Sequence, residues 1–477
     1  MSKLPTVCIV GAGSSGIAAA KALHERSIPV EVYETSDRVG GNWVFRNRNG
    51  MSSSYKTLHI NTSRERMEYS DFPMPKRYPD FPHHTHIAEY FNAYVDHFGL
   101  REAIRFENGV QLAERNADGT WTVTPEHGEP RRFDALVVAN GHHWDARWPE
   151  PPFPGAGTFE GDQIHSHHYT DPEQLRDKRV VVLGMGNSAM DIAVDASYSA
   201  DATFLCSRRG AHVIPKYLFG KPTDQIGGSP RIPFCVRRKI LEILLFLYQG
   251  RMERYGLPRP DHRFGEAHPT ISGRILDRLA HGAVSYRPNV SSLEGRSVRF
   301  ADGRVEHDID LLVYCTGYKV SFPFFSENLI SAPDNDLPLY RRLFHPDIPN
   351  VFFVGLFQPL GAIMPAAERQ GQWVARYLRG EYALPSPADR RRDMERERAA
   401  MFKRYVASPR HTMQVDYDDF MLAMAREMDA GSERARSAGS CLPVVPRAAG
   451  GGGGRGGRRM RPPRRAGGYP RRPAPGS

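Results

Sequence analysis

The sequence predicts an α/β chain built on two open parallel sheets, the second inserted into the first, followed by a disordered tail. Two strings of residues carry most of that prediction. Thr6–Val10 (TVCIV) is a short apolar run ending in Gly11-Ala12-Gly13-Ser14-Ser15-Gly16; an Ala-rich stretch, the run Val30–Tyr33 and then Glu34 follow. Arg179–Leu183 (RVVVL) leads likewise into Gly184-Met185-Gly186-Asn187-Ser188-Ala189 and on to Ala202–Cys206. Each reads strand, glycine turn, helix, strand, and the strands lack polar alternation because a parallel sheet is covered on both faces. A third observation completes the frame. Asp134–Ala139, before Asn140-Gly141, matches Asp308–Cys315, before Thr316-Gly317, so each sheet has a further buried strand ending near glycine.

From these positions we expect a first domain over 1–168, a second over 169–304, a return to the first over 305–430, and a disordered tail over 431–477. The stretch 215–270, irregular and rich in Arg and Pro, reads as an insertion on the second domain, with a helix near Arg238–Arg251. Asp389–Arg398 (DRRRDMERER) alternates in charge sign and reads as a solvated helix face. Gly450–Gly457 and the Arg/Pro/Gly mixture after it hold too few apolar residues to offset the entropy of ordering.

Composition narrows the function. At ~100–200 residues per domain, a chain of 477 residues holds two or three domains. The net charge is +10, but residues 442–477 contain nine Arg and no acid, so residues 1–441 carry only +1. A near-neutral body is not built to bind nucleic acid, whereas the tail could hold a polyanion without specificity; a solubilising extension is the simpler reading. Five cysteines without a C-x-x-C pair fit a reduced cytoplasm and neither a disulfide scaffold nor a dithiol reductase. The longest apolar patch, Ile243 to Tyr248, is far short of the ~20 residues of a membrane span, and the start shows no signal peptide. A soluble cytoplasmic protein is expected, with oligomeric state open and a homodimer one arrangement.

The first glycine string is G-x-G-x-x-G, which this composition yields by chance ~0.4 times per chain, so its context has to carry the argument. Gly11 allows the tight turn, Gly13 lets a pyrophosphate approach, and Gly16 lets helix pack on strand. The helix N-terminus offers amides to the pyrophosphate, and Glu34, 23 residues after Gly11, is placed to accept from a ribose diol. The second string has Ala189 at the packing position, and its second strand ends in Cys206-Ser207-Arg208-Arg209 rather than in an acid. Ser207 and Arg208 suit a 2′-phosphate, at roughly 1.5–3 kcal/mol per charge-assisted bond, enough to favour NADP over NAD tenfold or more. Two Rossmann-like dinucleotide-binding domains follow, one for FAD and one for NADPH.

Between them lies Phe159-Glu-Gly161-Asp-Gln-Ile-His165-Ser-His-His-Tyr169, the pattern F-x-G-x-x-x-H-x-x-x-Y, expected by chance only ~0.004 times. Here the chain resembles the class B flavin-dependent monooxygenases, and among them the flavin-containing monooxygenases, over about residues 5–430. In that family the fingerprint joins the FAD and NADPH domains, and Tyr169 stands where Baeyer–Villiger relatives usually have Trp. Gly40-Gly41-Asn42-Trp43 is similar to the second FAD segment. Tyr55–Pro75 resembles the stretch whose Asn, here Asn61 between Ile60 and Thr62, faces the flavin. Cys315-Thr316-Gly317-Tyr318 is similar to the family's Ala-Thr-Gly-Tyr, and the segment from Gln358 to Trp373 to the one returning to the flavin ring. Microsomal animal members end in a hydrophobic anchor where this chain has its Arg/Gly tail, which fits a soluble, bacterial-type member.

The resemblance implies that NADPH reduces FAD, that the reduced flavin takes up O2 as a C4a-hydroperoxyflavin, and that an amine nitrogen or sulfide sulfur attacks its distal oxygen. Asn61 is the one catalytic candidate it gives. The alternative within the family is a Baeyer–Villiger monooxygenase acting on ketones. His83, His84, His86, His142, His143, His165, His167 and His168 lack the H-E-x-x-H spacing of a metal helix, so no metal site is expected.

Overall fold

The computed structural model describes residues 4–226, 232, 234–405 and 412–437. Along the chain, β1 (Val7–Val10) leads through α1 (Ser14–His24) to β2 (Val30–Tyr33), and α2 (His84–His97) precedes β3 (Ile104–Arg105) and β4 (Ala135–Val138). Next come β5 (Asp162–His165), β6 (Arg179–Leu183), α3 (Asn187–Ser199), β7 (Ala202–Cys206), α4 (Phe234–Gln249), β8 (Ser285–Arg287) and β9 (Leu311–Tyr314). Then follow β10 (Val351–Phe353), α5 (Met364–Leu378), α6 (Pro387–Arg404) and α7 (Tyr417–Ser437).

The main strands form two five-stranded sheets, in the orders β10-β4-β1-β2-β3 and β8-β7-β6-β9-β5, with every pair parallel. The two are built on one plan. In each, the strand before the glycine turn is flanked on one side by the strand after the helix (β2, β7) and on the other by the later glycine-terminated strand (β4, β9). The strand order reverses there, and in open α/β sheets a ligand crevice opens at that point. The apolar runs divide by period 2: Val7, Ile9, Ala135 and Val137 enter one core, and Cys8, Val10, Leu136 and Val138 the other. Val180, Val182, Leu311 and Val313 divide from Val181, Leu183, Leu312 and Tyr314 in the same way.

The Ala-rich run of α1 has a packing reason. Ala18, Ala19 and Ala22 are fully buried against α5, where Ala367, Gly371 and Ala375 face them, and a Cβ on Gly371 would stand 2.9 Å from the Ala19 Cα. Small residues on both helices let the backbones close.

Three expected boundaries are corrected. β5, which holds His165 of the fingerprint, is the edge strand of the second sheet, pairing Asp162–His165 with Leu311–Tyr314, rather than the end of the first domain. β9 is likewise in the second sheet, paired to β6, so the chain returns to the first domain after Tyr314 and not at 305. Pairing of β9 to β6, and of β5 to β9, over residues far away in sequence decides both. The tail boundary at 431 also moves: α7 continues to Ser437, with Gly431 set where a Cβ would meet the Tyr382 ring at 1.9 Å. The rest of the expected tail, 438–477, lies outside the described residues. The insertion helix forms as α4, starting at Phe234 and stopping before Gly250, whose φ is +74°.

Candidate active site

At the first glycine loop, Gly11 turns with φ +98°, and a Cβ on Gly16 would fall 1.9 Å from the Gly11 carbonyl oxygen, so helix and turn meet at a distance only glycine allows. Glu34 is buried. Its Oε2 accepts from the Ala12 amide at 2.6 Å, and its Oε1 from the Ser36 amide at 2.8 Å and the Thr35 hydroxyl at 3.3 Å. Burial raises its pKa against the pull of these donors. A carboxylate has about four acceptor sites, so it shapes the loop and leaves about one of them open. The Gly40 amide donates to the Ala12 carbonyl at 3.0 Å, bringing Gly41 across Gly13. Asn42 Oδ1 accepts from the Ser53 amide and hydroxyl, both at 2.8 Å, and Trp43 turns to the cleft. The Ser14 carbonyl accepts from the Tyr69 hydroxyl at 2.7 Å, and Ser15 leaves no room for a side chain at Gly355.

The second loop repeats the geometry. Gly184 has φ +143°, its amide donates to the Cys206 carbonyl at 2.8 Å, and a Cβ there would meet the Cys315 carbonyl oxygen at 2.7 Å. Asn187 Oδ1 accepts from the Ile271 amide at 2.8 Å, tying the helix start to the insertion. Ser188 lines the cleft beside Ala189, which is fully buried at the packing position. Both α1 and α3 begin without a side-chain cap and without an acid in the first turn. Their free amides and positive dipole ends suit a phosphate at each loop.

The two arginines after β7 part company. Arg209 pairs with Asp261 at 2.5 Å, while Arg208 is exposed, turns to the cleft and makes no ion pair among the described residues. Arg208 is therefore the one of the two with a guanidinium not committed to an acid among the described residues. The Ser207 hydroxyl is engaged, donating to the Arg209 carbonyl at 3.0 Å and meeting the Tyr286 hydroxyl at 3.1 Å.

A cleft of about 1110 Å³ runs between the domains. It brings together Asn42, Trp43, Ile60, Asn61, Thr62, Thr316, Gly317 and Gln358 of the first domain and its connections with Gly186, Asn187, Ser188, Ala189 and Arg208 of the second. Gly11 to Gly16, Glu34, Gly41, Gly184 and Ser207 are not among its lining residues. Asn61 is half-buried, and its carboxamide makes no hydrogen bond among the described residues. Its neighbours are held: the Ile60 amide donates to the Pro82 carbonyl at 3.0 Å, and the Thr62 hydroxyl to the Gly361 carbonyl at 3.5 Å. The Thr316 hydroxyl donates to the Arg147 carbonyl, Gly317 turns with φ +85°, and the Gln358 amide donates to the Met413 carbonyl at 2.8 Å.

Several residues of the site carry no sequence signal. Lys216 Nζ donates to the Ile60 carbonyl at 3.1 Å, and Asp224 Oδ2 accepts from the Ser63 amide at 2.7 Å and hydroxyl at 2.9 Å, so the insertion roofs the Asn61 segment. Tyr55 and Thr57 donate to Asp191 and Asp195 on α3. Their pairing spans more than a hundred positions, which local patterns do not encode. His165 of the fingerprint is fully buried, its Nδ1 accepts from the His167 amide at 3.1 Å, and burial pushes its pKa down to about 4. Tyr169, also fully buried, donates to Asp195 at 2.7 Å. Among the described residues no His, Cys, Asp or Glu group has the geometry to hold a metal ion, and no helix is long and apolar enough to cross a membrane.

The sequence model of the flavin-binding monooxygenase-like family matches residues 5–434. The chain belongs to this family. Within it, the chain is 36% identical over 438 residues to flavin-containing monooxygenase 5 of Cavia porcellus, covering 88% of this chain and 82% of that protein. It is 32% identical over 442 residues to the N-oxide-forming dimethylaniline monooxygenase 2 of Rattus norvegicus, covering 89% and 82%. The S-allyl-L-cysteine S-oxygenase structure from Allium sativum superposes with a TM-score of 0.67 at 24% identity, over 91% of this chain and 93% of that one. An open structure of cyclohexanone monooxygenase gives 0.67 at 19%, over 91% and 99%. These two likenesses concern the fold. As a flavin-binding monooxygenase, the protein is a flavoprotein oxidoreductase.

Proposed function

We propose that the protein is an NADPH- and O2-dependent monooxygenase that oxygenates soft nucleophilic nitrogen or sulfur atoms of small molecules. The carrying observation is the placement of Asn61: an unpaired carboxamide on the wall of the same cleft that receives the start of α3. The N-oxide-forming relative supports nitrogen as one target, and Tyr169 at the end of the fingerprint supports the same branch. Overall, NADPH, a proton, O2 and substrate become NADP⁺, water and an oxygenated product.

In this reading Gly11 to Gly16, Glu34, Gly41 to Trp43, Ile60 to Thr62, Thr316, Gly317 and Gln358 hold FAD, and Gly184 to Ala189, Ser207 and Arg208 hold NADPH. The bound flavin supplies reduction by NADPH and activation of O2. The chain's own contribution is positioning and exclusion of water. The amides of α1 and α3 would bind the two pyrophosphates, Arg208 would take the 2′-phosphate, and Asn61 would offer a donor and an acceptor to a cofactor in the cleft. The insertion, joined through Lys216 and Asp224 to the segment around Asn61, covers the cleft and keeps water from the reacting atoms. His142, buried beside the cleft with its pKa pushed well down by burial, adds a neutral wall. Cys8, Cys206, Cys235 and Cys315 are free thiols, in keeping with a reducing, cytoplasmic setting.

The test is to supply FAD-loaded enzyme and NADPH in air with a tertiary amine, a thioether or a ketone, and to measure product and peroxide per NADPH consumed. N-oxide or sulfoxide approaching one per NADPH is expected. Ester from the ketone as the dominant product would move the protein to the Baeyer–Villiger branch.

A further inference from the structure

The run of residues 55–60 that leads to Asn61 is bonded to the second domain at four of its six residues. The Tyr55 hydroxyl donates to Asp191 at 2.5 Å, the Lys56 amide to the Thr170 carbonyl at 2.9 Å, and the Thr57 hydroxyl to Asp195 at 2.6 Å. Lys216 Nζ closes the run on the Ile60 carbonyl at 3.1 Å. Asp191 and Asp195 lie one turn apart on α3 and so share a face, and α3 is the helix whose first residues form the second glycine loop. Asp195 accepts in addition from Tyr169 of the fingerprint, whose ring lies 5.6 Å from that of Tyr55. Taking a carboxylate partly out of water is unfavourable unless donors meet it, and here the donors come from the segment that carries Asn61 and, for Asp195, also from Tyr169.

We propose that Asp191 and Asp195 are positioning residues that tether the 55–60 run to the helix of the second glycine loop, so that a dinucleotide seated on that loop fixes where Asn61 stands. This rests on the reading that the second loop takes NADPH. With NADP⁺ bound at the start of α3, the helix would hold 55–60 and Asn61 would keep its place on the cleft wall. Release of NADP⁺ frees α3 to move and the run with it. Neither Asp191, Asp195 nor Thr57 lines the cleft, so each acts through the segment and not on substrate.

The experiment is amide hydrogen exchange on the FAD-loaded full chain, with and without saturating NADP⁺, followed over the peptide covering 55–62. Calorimetry on the same samples measures NADP⁺ binding. In the wild type NADP⁺ slows exchange across 55–62. In Thr57→Val, and separately in Asp195→Asn, the slowing is lost although NADP⁺ still binds, and Thr57→Ser, which keeps the hydroxyl, restores it. Turnover with a thioether is the second readout. Thr57→Val raises the fraction of NADPH electrons ending as peroxide roughly tenfold, the scale on which one charge-assisted hydrogen bond acts, and Thr57→Ser does not. Exchange over 55–62 that ignores NADP⁺ in the wild type, or that responds as usual in both variants, overturns the tether and leaves the proposed function standing. NADP⁺-dependent protection that the variants lose, in a protein that oxygenates neither amine nor thioether, keeps the tether and removes the proposed function. Absence of NADP⁺ binding removes both.

Discussion

Lys216 and Ile60 join the two domains at the active cleft: the lysine ammonium, carried by the insertion, donates to the isoleucine carbonyl at 3.1 Å, one residue before Asn61. Burial lowers the lysine's pKa, and the charge of Asp191 works against that. Replacing Lys216 with Met keeps the length of the side chain and removes the donor. The expected result is a substrate KM raised about fivefold or more, with KM for NADPH changed less, because one hydrogen bond of about 1 kcal/mol over the roof of the cleft is lost. Steady-state kinetics with each substrate varied in turn checks this.

The Asn61 carboxamide faces the cleft with no hydrogen bond among the described residues. Asn61→Ala should lower product yield at least tenfold more than it lowers NADPH consumption, with peroxide making up the difference, as loss of one or two hydrogen bonds at the reacting centre predicts. Parallel assays of NADPH, peroxide and product decide it, and unchanged coupling would remove Asn61 from the site.

Arg208 and Arg209 are adjacent but differently employed, since Arg209 is paired with Asp261. Arg208→Ala should raise KM for NADPH tenfold or more and leave KM for NADH nearly unchanged, because only NADPH carries the 2′-phosphate. Arg209→Ala should affect both cofactors alike and weakly. Equal effects of Arg208→Ala on the two would withdraw the phosphate assignment.

Gly16 stands where a Cβ would press on the Gly11 carbonyl oxygen at 1.9 Å. Gly16→Ala must open the first loop, and a loss of at least ~2 kcal/mol of stability follows from overpacking backbone against backbone. Protein purified from this variant should carry little FAD, as the flavin-to-protein absorbance ratio will report.

His84 and His165 are held neutral by burial, each with its pKa pushed down from 6.5 to about 4. The unfolded chain then binds more protons than the folded one between those values, so their contribution to stability is complete above pH 6.5 and is lost as pH falls toward 4. Asp191 works in the opposite sense, since burial raises its pKa to about 6 and the folded state holds its proton more tightly. The comparison to make is therefore between wild type and His84→Phe. The stability difference between them, from denaturant midpoints at pH 7 and pH 5, should shift in favour of the variant at the lower pH.

How much of this was legible in the sequence depends on how local each requirement is. Gly11, Gly13 and Gly16 announce themselves because a turn, an approach and a close packing are set by the backbone of a dozen residues, and Gly184 and Gly186 likewise. Glu34 could be placed at the end of a strand, although not its use as an acceptor for the loop's own amide. β5 could not be assigned to the second sheet, because Asp162–His165 has no apolar alternation and its partner strand arrives near residue 311. Arg208 and Arg209 look equivalent until Asp261, 52 positions later, folds back onto one of them. Lys216, Asp191 and Asp195 belong to no sequence motif, and only tertiary contact gives them a place beside the Asn61 segment.

The central claim is that one atom of O2 is transferred to substrate at the expense of NADPH. The most direct measurement is the mass of the product formed by FAD-loaded enzyme from NADPH and a thioether under ¹⁸O2. The expected result is a sulfoxide carrying one ¹⁸O atom, at one product per NADPH. Sulfoxide without label, or NADPH consumed with all of the oxygen recovered as peroxide, would contradict it.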